Sequence, residues 1–114
     1  MKTAAVLTAL VLSLSTVLSL EAANRAGAAA AVPQVHTVVI EGMRYQPEGL
    51  TVAPGDTVVW VNRDMVPHTA TSAGHFDSGE IATGKTWTHT VRAAGEFAYL
   101  CTYHPLMKGV IRAR

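Results

Sequence analysis

From Val35 onward the chain reads as short apolar-polar alternations separated by turn residues, a pattern of strands. Val35 to Glu41 (VHTVVIE) is crowded with β-branched side chains. Leu50 to Ala53 is a second short run, closed by Pro54-Gly55-Asp56. Pro fixes φ and Gly accepts φ > 0, as the central positions of a type II turn require. Asp56 to Asn62 (DTVVWVN) carries the strongest strand pattern. Thr86 to Arg92 sets Trp87, His89 and Val91 on one face and Thr86, Thr88, Thr90 and Arg92 on the other. Glu96 to Cys101 puts Phe97, Tyr99 and Cys101 on a common face, and Lys108 to Arg112 closes the series. Six or seven strands with regular turns predict an all-β chain folded as an antiparallel Greek-key β-sandwich. Trp60, Trp87, Phe97, Val58, Val91 and Ile111 are its expected core.

The first part of the chain has a different pattern. Met1 and Lys2 precede an apolar run from Ala4 to Leu20, and a small-residue tract follows to Ala31. A positive start, an apolar centre and an Ala-rich exit are the parts of a secretory signal. The run contains five hydroxyl residues and is short for crossing about 30 Å of hydrocarbon, so cleavage is expected over retention as an anchor. The expectation is therefore an export segment over 1–31 and one domain over 32–114, with the periplasm as destination. Membrane association is expected only if the segment is retained.

Charge narrows the partners. The chain has nine basic and eight acidic side chains; without Lys2, Arg25 and Glu21, seven of each remain. A neutral domain has no basic stripe for nucleic acid and no polybasic contact for a membrane.

An exported domain this small usually needs disulfides or a metal to supplement its core. Cys101 is the only cysteine, so no internal disulfide can form. Its neighbours suggest a metal. Cys101-Thr102-Tyr103-His104-Pro105-Leu106-Met107 spaces a thiolate, an imidazole and a thioether three residues apart, directly after a strand. His68 lies upstream, after Val66-Pro67. Two imidazoles and a thiolate in a plane, with a long axial thioether, make a blue-copper electron-transfer site. Structural zinc sites favour four Cys/His ligands and gain little from Met. Taken singly, Cys101 would be a buried small hydrophobe, His104 a surface histidine and Met107 a core filler. Together, at this spacing, they point to one copper ion held by His68, Cys101, His104 and Met107.

The chain resembles the cupredoxins of the plastocyanin/amicyanin group, most of all the amicyanins. VVIEGMRYQPE, PGDTVVWVNRD with Pro67-His68, FDSG from Phe76 to Gly79, and AGEFAYLCTYHPLMKG carry the likeness. The two-residue gap between His104 and Met107 is the amicyanin spacing. The resemblance implies copper on those four ligands. It also implies that Asn62 braces the ligand loop through Thr102, and that the Thr69 amide donates to the Cys101 sulfur. His104 would be the solvent-edge ligand, ringed by Met65, Pro67, Pro105 and Leu106 as a docking patch. The implied role is a one-electron carrier and not an enzyme, a monomer docking transiently with a cytochrome, dehydrogenase or oxidase. Tyr103 replaces a proline of the family, Phe97 a common tyrosine and Leu100 a common histidine. The stretch from His68 to Cys101 is also shorter, and these last two departures weaken transfer of the family's amine-dehydrogenase partner.

A copper module for delivery, storage or assembly could use the same ligands. A thiol enzyme built on Cys101 and His104 lacks a third, orienting group. The remaining histidines read as structural or solvated: His89 packed at a sheet edge, His36 and His75 in water.

Overall fold

The computed structural model describes Ala4 and residues 31–114. The expected export segment, Ala4 and Ala31 apart, thus lies outside the described residues. Chain contacts divide the protein into Met1–Val32 and Pro33–Arg114, and the second unit carries all the strands among the described residues. These are β1 Val35–Ile40, β2 Tyr45–Gln46, β3 Gly49–Val52, β4 Thr57–Asn62, β5 Thr71–Ser72, β6 Phe76–Asp77, β7 Thr86–Thr90, β8 Gly95–Leu100 and β9 Lys108–Ala113. Among the described residues no helix is long and apolar enough to cross a membrane.

Two sheets form, ordered β2-β1-β4-β7 and β3-β9-β8-β5-β6. The expected sandwich is present, but its sheets are mixed. β1 runs parallel to β4, and β3 parallel to β9. The reason lies in the crossovers: the chain leaves the first sheet at β3 and re-enters it at β4, pointing the same way as β1. Periodicity marks the strands but not these crossings.

Alternation places the core. Val38 and Ile40 of β1, Val58, Trp60 and Asn62 of β4, and Tyr99 and Ile111 from the facing sheet are all buried. Trp60 is at the centre, with ring centroids 5.6 Å from Phe76, 5.4 Å from Trp87 and 5.5 Å from Tyr99. Gly109 pairs with Tyr99 across β8 and β9. A Cβ there would overlap the Tyr99 ring, so only glycine lets the ring lie flat on the backbone. Trp87 and Phe97 are less enclosed than the alternation suggested, packing on the margin of the core. Trp87 belongs to β7, the open edge of its sheet.

The other histidines differ from one another. His89 stacks on Trp87 at 5.6 Å with 9° between the planes, and burial beside Arg92 holds its pKa below the usual imidazole value. His75 is exposed, with its ring against Phe97. His36 is not solvated as expected: its Nε2 lies 2.9 Å from Asp56 Oδ2. Asp56 also accepts the N–H groups of Gln34 and Ala53, and ties the start of β1 to the turn before β4.

Candidate metal centre

β8 ends by delivering Cys101 into the interior, where its side chain is fully buried. The chain then makes two consecutive tight turns. His104 N–H donates to Cys101 C=O at 3.2 Å, and Met107 N–H to His104 C=O at 2.9 Å. Pro105 occupies the second position of the latter turn, where its fixed φ is favoured. Cys101 N–H closes the loop on Met107 C=O at 3.1 Å. Three residues at C-x2-H-x2-M spacing are therefore folded onto one another by backbone bonds. Met107 is buried and lines the same cleft as His104.

His68 arrives from the loop after β4 and is held by a two-bond bridge to Ile81, at 3.1 and 2.7 Å. Its ring is 0% exposed. Nε2 lies 2.8 Å from Asp64 Oδ2. A carboxylate only accepts, so Nε2 carries the proton and the lone pair of Nδ1 is turned inward. That Nδ1 is 3.7 Å from Cys101 Sγ, and His104 Nδ1 is also 3.7 Å from Sγ. The three ligand-type atoms lie within 4.8 Å of one another.

These separations test whether a metal fits. Metal bonds of about 2.0 Å to imidazole and about 2.3 Å to thiolate put N and S about 3.7 Å apart in a trigonal plane, and about 3.5 Å apart at tetrahedral angles. The observed separations are ones that a single metal ion can span. The donor set, two imidazoles and a thiolate with a thioether nearby, is the one copper takes in such planes.

The Thr69 N–H donates to Cys101 Sγ at 3.3 Å, the contact that resemblance implied. Thr69 C=O accepts the Tyr45 hydroxyl. Burial, with Cys101 and Tyr99 close by, pushes the Tyr45 pKa above its usual value, so it stays a neutral donor. Asn62 departs from expectation. Its amide N–H groups donate to Val66 C=O and Ile81 C=O, each at 2.9 Å, and its Oδ1 accepts Asp64 N–H. With those partners it braces the His68 loop, and no bond to Thr102 is formed. Thr102 is held by Thr69 instead, its N–H donating to Thr69 Oγ1 at 2.9 Å.

Asp64 was not anticipated. Besides His68 it accepts the N–H groups of Gly42 and Met43, at 2.7 and 3.0 Å. Burial alone would raise its pKa, but these three donors hold it below the usual carboxylate value. Met43 takes a positive φ of 58°, and its side chain lines a cleft of about 390 Å³ with His104, Pro105, Leu106 and Met107. The carboxylate thus joins the His68 ring to the turn that borders His104. An Asp four residues before a His was the only sequence signal for it.

The surface at His104 is apolar. Leu106, 96% exposed, lines the cleft there with Pro105 and Met43; Met65, 89% exposed, and Pro67 are exposed in the chain just before His68. Tyr103, half-exposed, faces Glu80.

Comparison with known proteins agrees. The model of the cupredoxin-like domain matches residues 4–113. Amicyanin from Paracoccus versutus is 35% identical over 91 residues, covering 74% of this chain and 69% of the relative. The solved Cu(I) form of a methionine-to-alanine variant of amicyanin superposes with a TM-score of 0.68 at 31% identity, covering 76% of this chain and 89% of that one. A copper-containing nitrite reductase from Thermus scotoductus also matches, at TM-score 0.66 and 29% identity, but over only 22% of its own length.

Proposed function

Since the chain belongs to the cupredoxin-like family and is similar to the amicyanins, we propose that it is a type 1 copper protein carrying single electrons. The observation that carries this is the pair of 3.7 Å separations from Cys101 Sγ to His68 Nδ1 and His104 Nδ1, close enough for one metal ion to take all three donors. We assign one copper ion to His68, Cys101, His104 and Met107. When bound, copper supplies a one-electron couple, and the chain is asked for no bond chemistry. The nitrite reductase is matched over too little of its length to lend its activity.

The protein's part is to keep its donors still. Asp64 fixes the tautomer and direction of His68. The Thr69 N–H stabilises negative charge on the sulfur, and three backbone bonds hold Cys101, His104 and Met107 together. Donors that do not rearrange favour fast transfer. His104 is the half-buried edge of the site, and Met65, Pro67, Pro105 and Leu106 form the surface on which a partner seats. Redox partners meet through small, transient interfaces, below about 1,200 Å². A cytochrome, dehydrogenase or oxidase fits that role, with the carrier acting as a monomer. We further propose that 1–31 is an export signal and that the domain works in the periplasm.

The carrier role is tested by self-exchange. Mixtures of oxidised and reduced protein should show concentration-dependent broadening of proton resonances around His104. Two sets of sharp, non-exchanging signals, with copper passing readily to a chelator, would favour copper delivery over electron transfer.

A further inference from the structure

The FDSG segment, Phe76 to Gly79, has no place in the centre as described, yet its aspartate joins a chain of hydroxyls leading there. Asp77 Oδ1 accepts the Thr71 hydroxyl at 3.1 Å across the β5–β6 pair, where Thr71 faces Asp77 in register. Thr71 Oγ1 lies 3.0 Å from Thr69 Oγ1, which lies 3.2 Å from Thr102 Oγ1.

The chemistry of the endpoint sets every proton along this row. A carboxylate cannot donate, so the Thr71 proton is committed to Asp77. Thr71 must then accept from Thr69, which commits the Thr69 proton in turn. The two lone pairs of Thr69 Oγ1 are left for the Thr102 hydroxyl and the Thr102 N–H. The hydroxyls therefore point one way, from the ligand loop toward Asp77, and bonds aligned in a row strengthen one another. Both ends of the effect touch the site. Thr69 supplies the N–H on the Cys101 sulfur, and Thr102 follows Cys101 directly.

We propose that Asp77 is a positioning residue for the Cys101 sulfur, acting through Thr71 and Thr69 on the amide of Thr69 and on the loop at Thr102. The proposal rests on the copper reading above but concerns contacts that exist without metal. Asp77 touches none of the four proposed ligands; its other acceptor contact is the Gly79 N–H at 2.9 Å, which holds the FDSG turn.

The test uses the full protein with Asp77→Ala, Thr71→Val, the double variant and Asp77→Asn. Thr71→Val cuts the row without touching the FDSG turn. Asp77→Asn keeps a carbonyl acceptor. In metal-free protein, each of Asp77→Ala and Thr71→Val should speed Thr102 amide exchange by about tenfold, the worth of one net hydrogen bond. The double variant should exceed neither single one, because both break the same row. Asp77→Asn should restore most of the protection. In copper-loaded protein the two single variants should shift the sulfur-to-copper absorption band and the reduction potential in the same direction. Additive effects, or an unshifted band and potential in Thr71→Val, would overturn the proposal. Failure to form a blue centre in the unmutated protein would count against the copper reading, while the exchange result would still judge the hydroxyl row.

Discussion

Asp64 Oδ2 and His68 Nε2 lie 2.8 Å apart, and this bond decides which face of the imidazole looks at Cys101. The ring is buried, and the carboxylate is the partner that Nε2 has among the described residues. The same carboxylate caps the Gly42–Met43 turn. One side chain therefore supports both a proposed ligand and the surface beside His104.

Asp64→Ala should weaken copper binding about 10- to 100-fold, the usual loss when a partner of a metal-bound histidine is removed. Chelator competition measures it. The metal-free protein should also lose about 1–3 kcal/mol, because the buried His68 Nε2–H is left unpaired. Affinity unchanged in Asp64→Ala would mean that His68 is held by its backbone bridge to Ile81 alone.

Tyr45→Phe should destabilise the fold by about 1–3 kcal/mol in urea unfolding, because the buried Thr69 C=O loses its hydroxyl partner. Tyr45 is itself buried, with its ring centroid 4.6 Å from that of Tyr99, and phenylalanine keeps that packing. The loss is therefore attributable to the hydrogen bond. A variant as stable as the parent would show that another donor reaches the carbonyl.

Trp60 offers a contrast. Its buried indole N–H makes no well-formed hydrogen bond and has only a weak contact with the Tyr99 hydroxyl, so Trp60→Phe removes a poorly satisfied donor along with some packing, and should cost less than about 2 kcal/mol. Trp60→Ala empties the centre of the core and should cost about 3–5 kcal/mol. Equal losses in the two variants would mean that the N–H is satisfied in solution.

The acid limb of stability should include Asp56. The N–H groups of Gln34 and Ala53, then His36, lower its pKa from 3.8 to about 2. A folded-state value below the unfolded one stabilises the protein above the unfolded pKa, and this contribution is lost as pH falls toward the folded one. Melting temperature should therefore fall between about pH 4 and pH 2, and Asp56→Asn should flatten that interval. An identical acid limb in the variant would remove Asp56 from the account.

Much of this was legible in the sequence because it is local. Alternation marked the longer strands from β1 to β9 to within a residue or two, and the C-x2-H-x2-M loop carries its own geometry, each ligand one tight turn from the next. The two-residue strands β2, β5 and β6 are too short to show a period. What the sequence left hidden depends on elements far apart in the chain. His36 meets Asp56 only because the start of β1 lies beside the turn before β4. Asn62 was expected on Thr102, but the Val66 and Ile81 carbonyls lie where its amide points. Asp77 reaches Thr71 only through the pairing of β5 with β6. Polar side chains of this kind take their partners from the folded backbone, and spacing does not announce them.

The most direct test of the copper centre is spectroscopic. Purified protein loaded with Cu(II) should show an intense blue thiolate-to-copper band and a narrow copper hyperfine splitting, both lost in Cys101→Ser. A colourless protein, or one whose copper shows ordinary wide splitting and leaves with a weak chelator, would contradict the proposed copper centre at His68, Cys101 and His104.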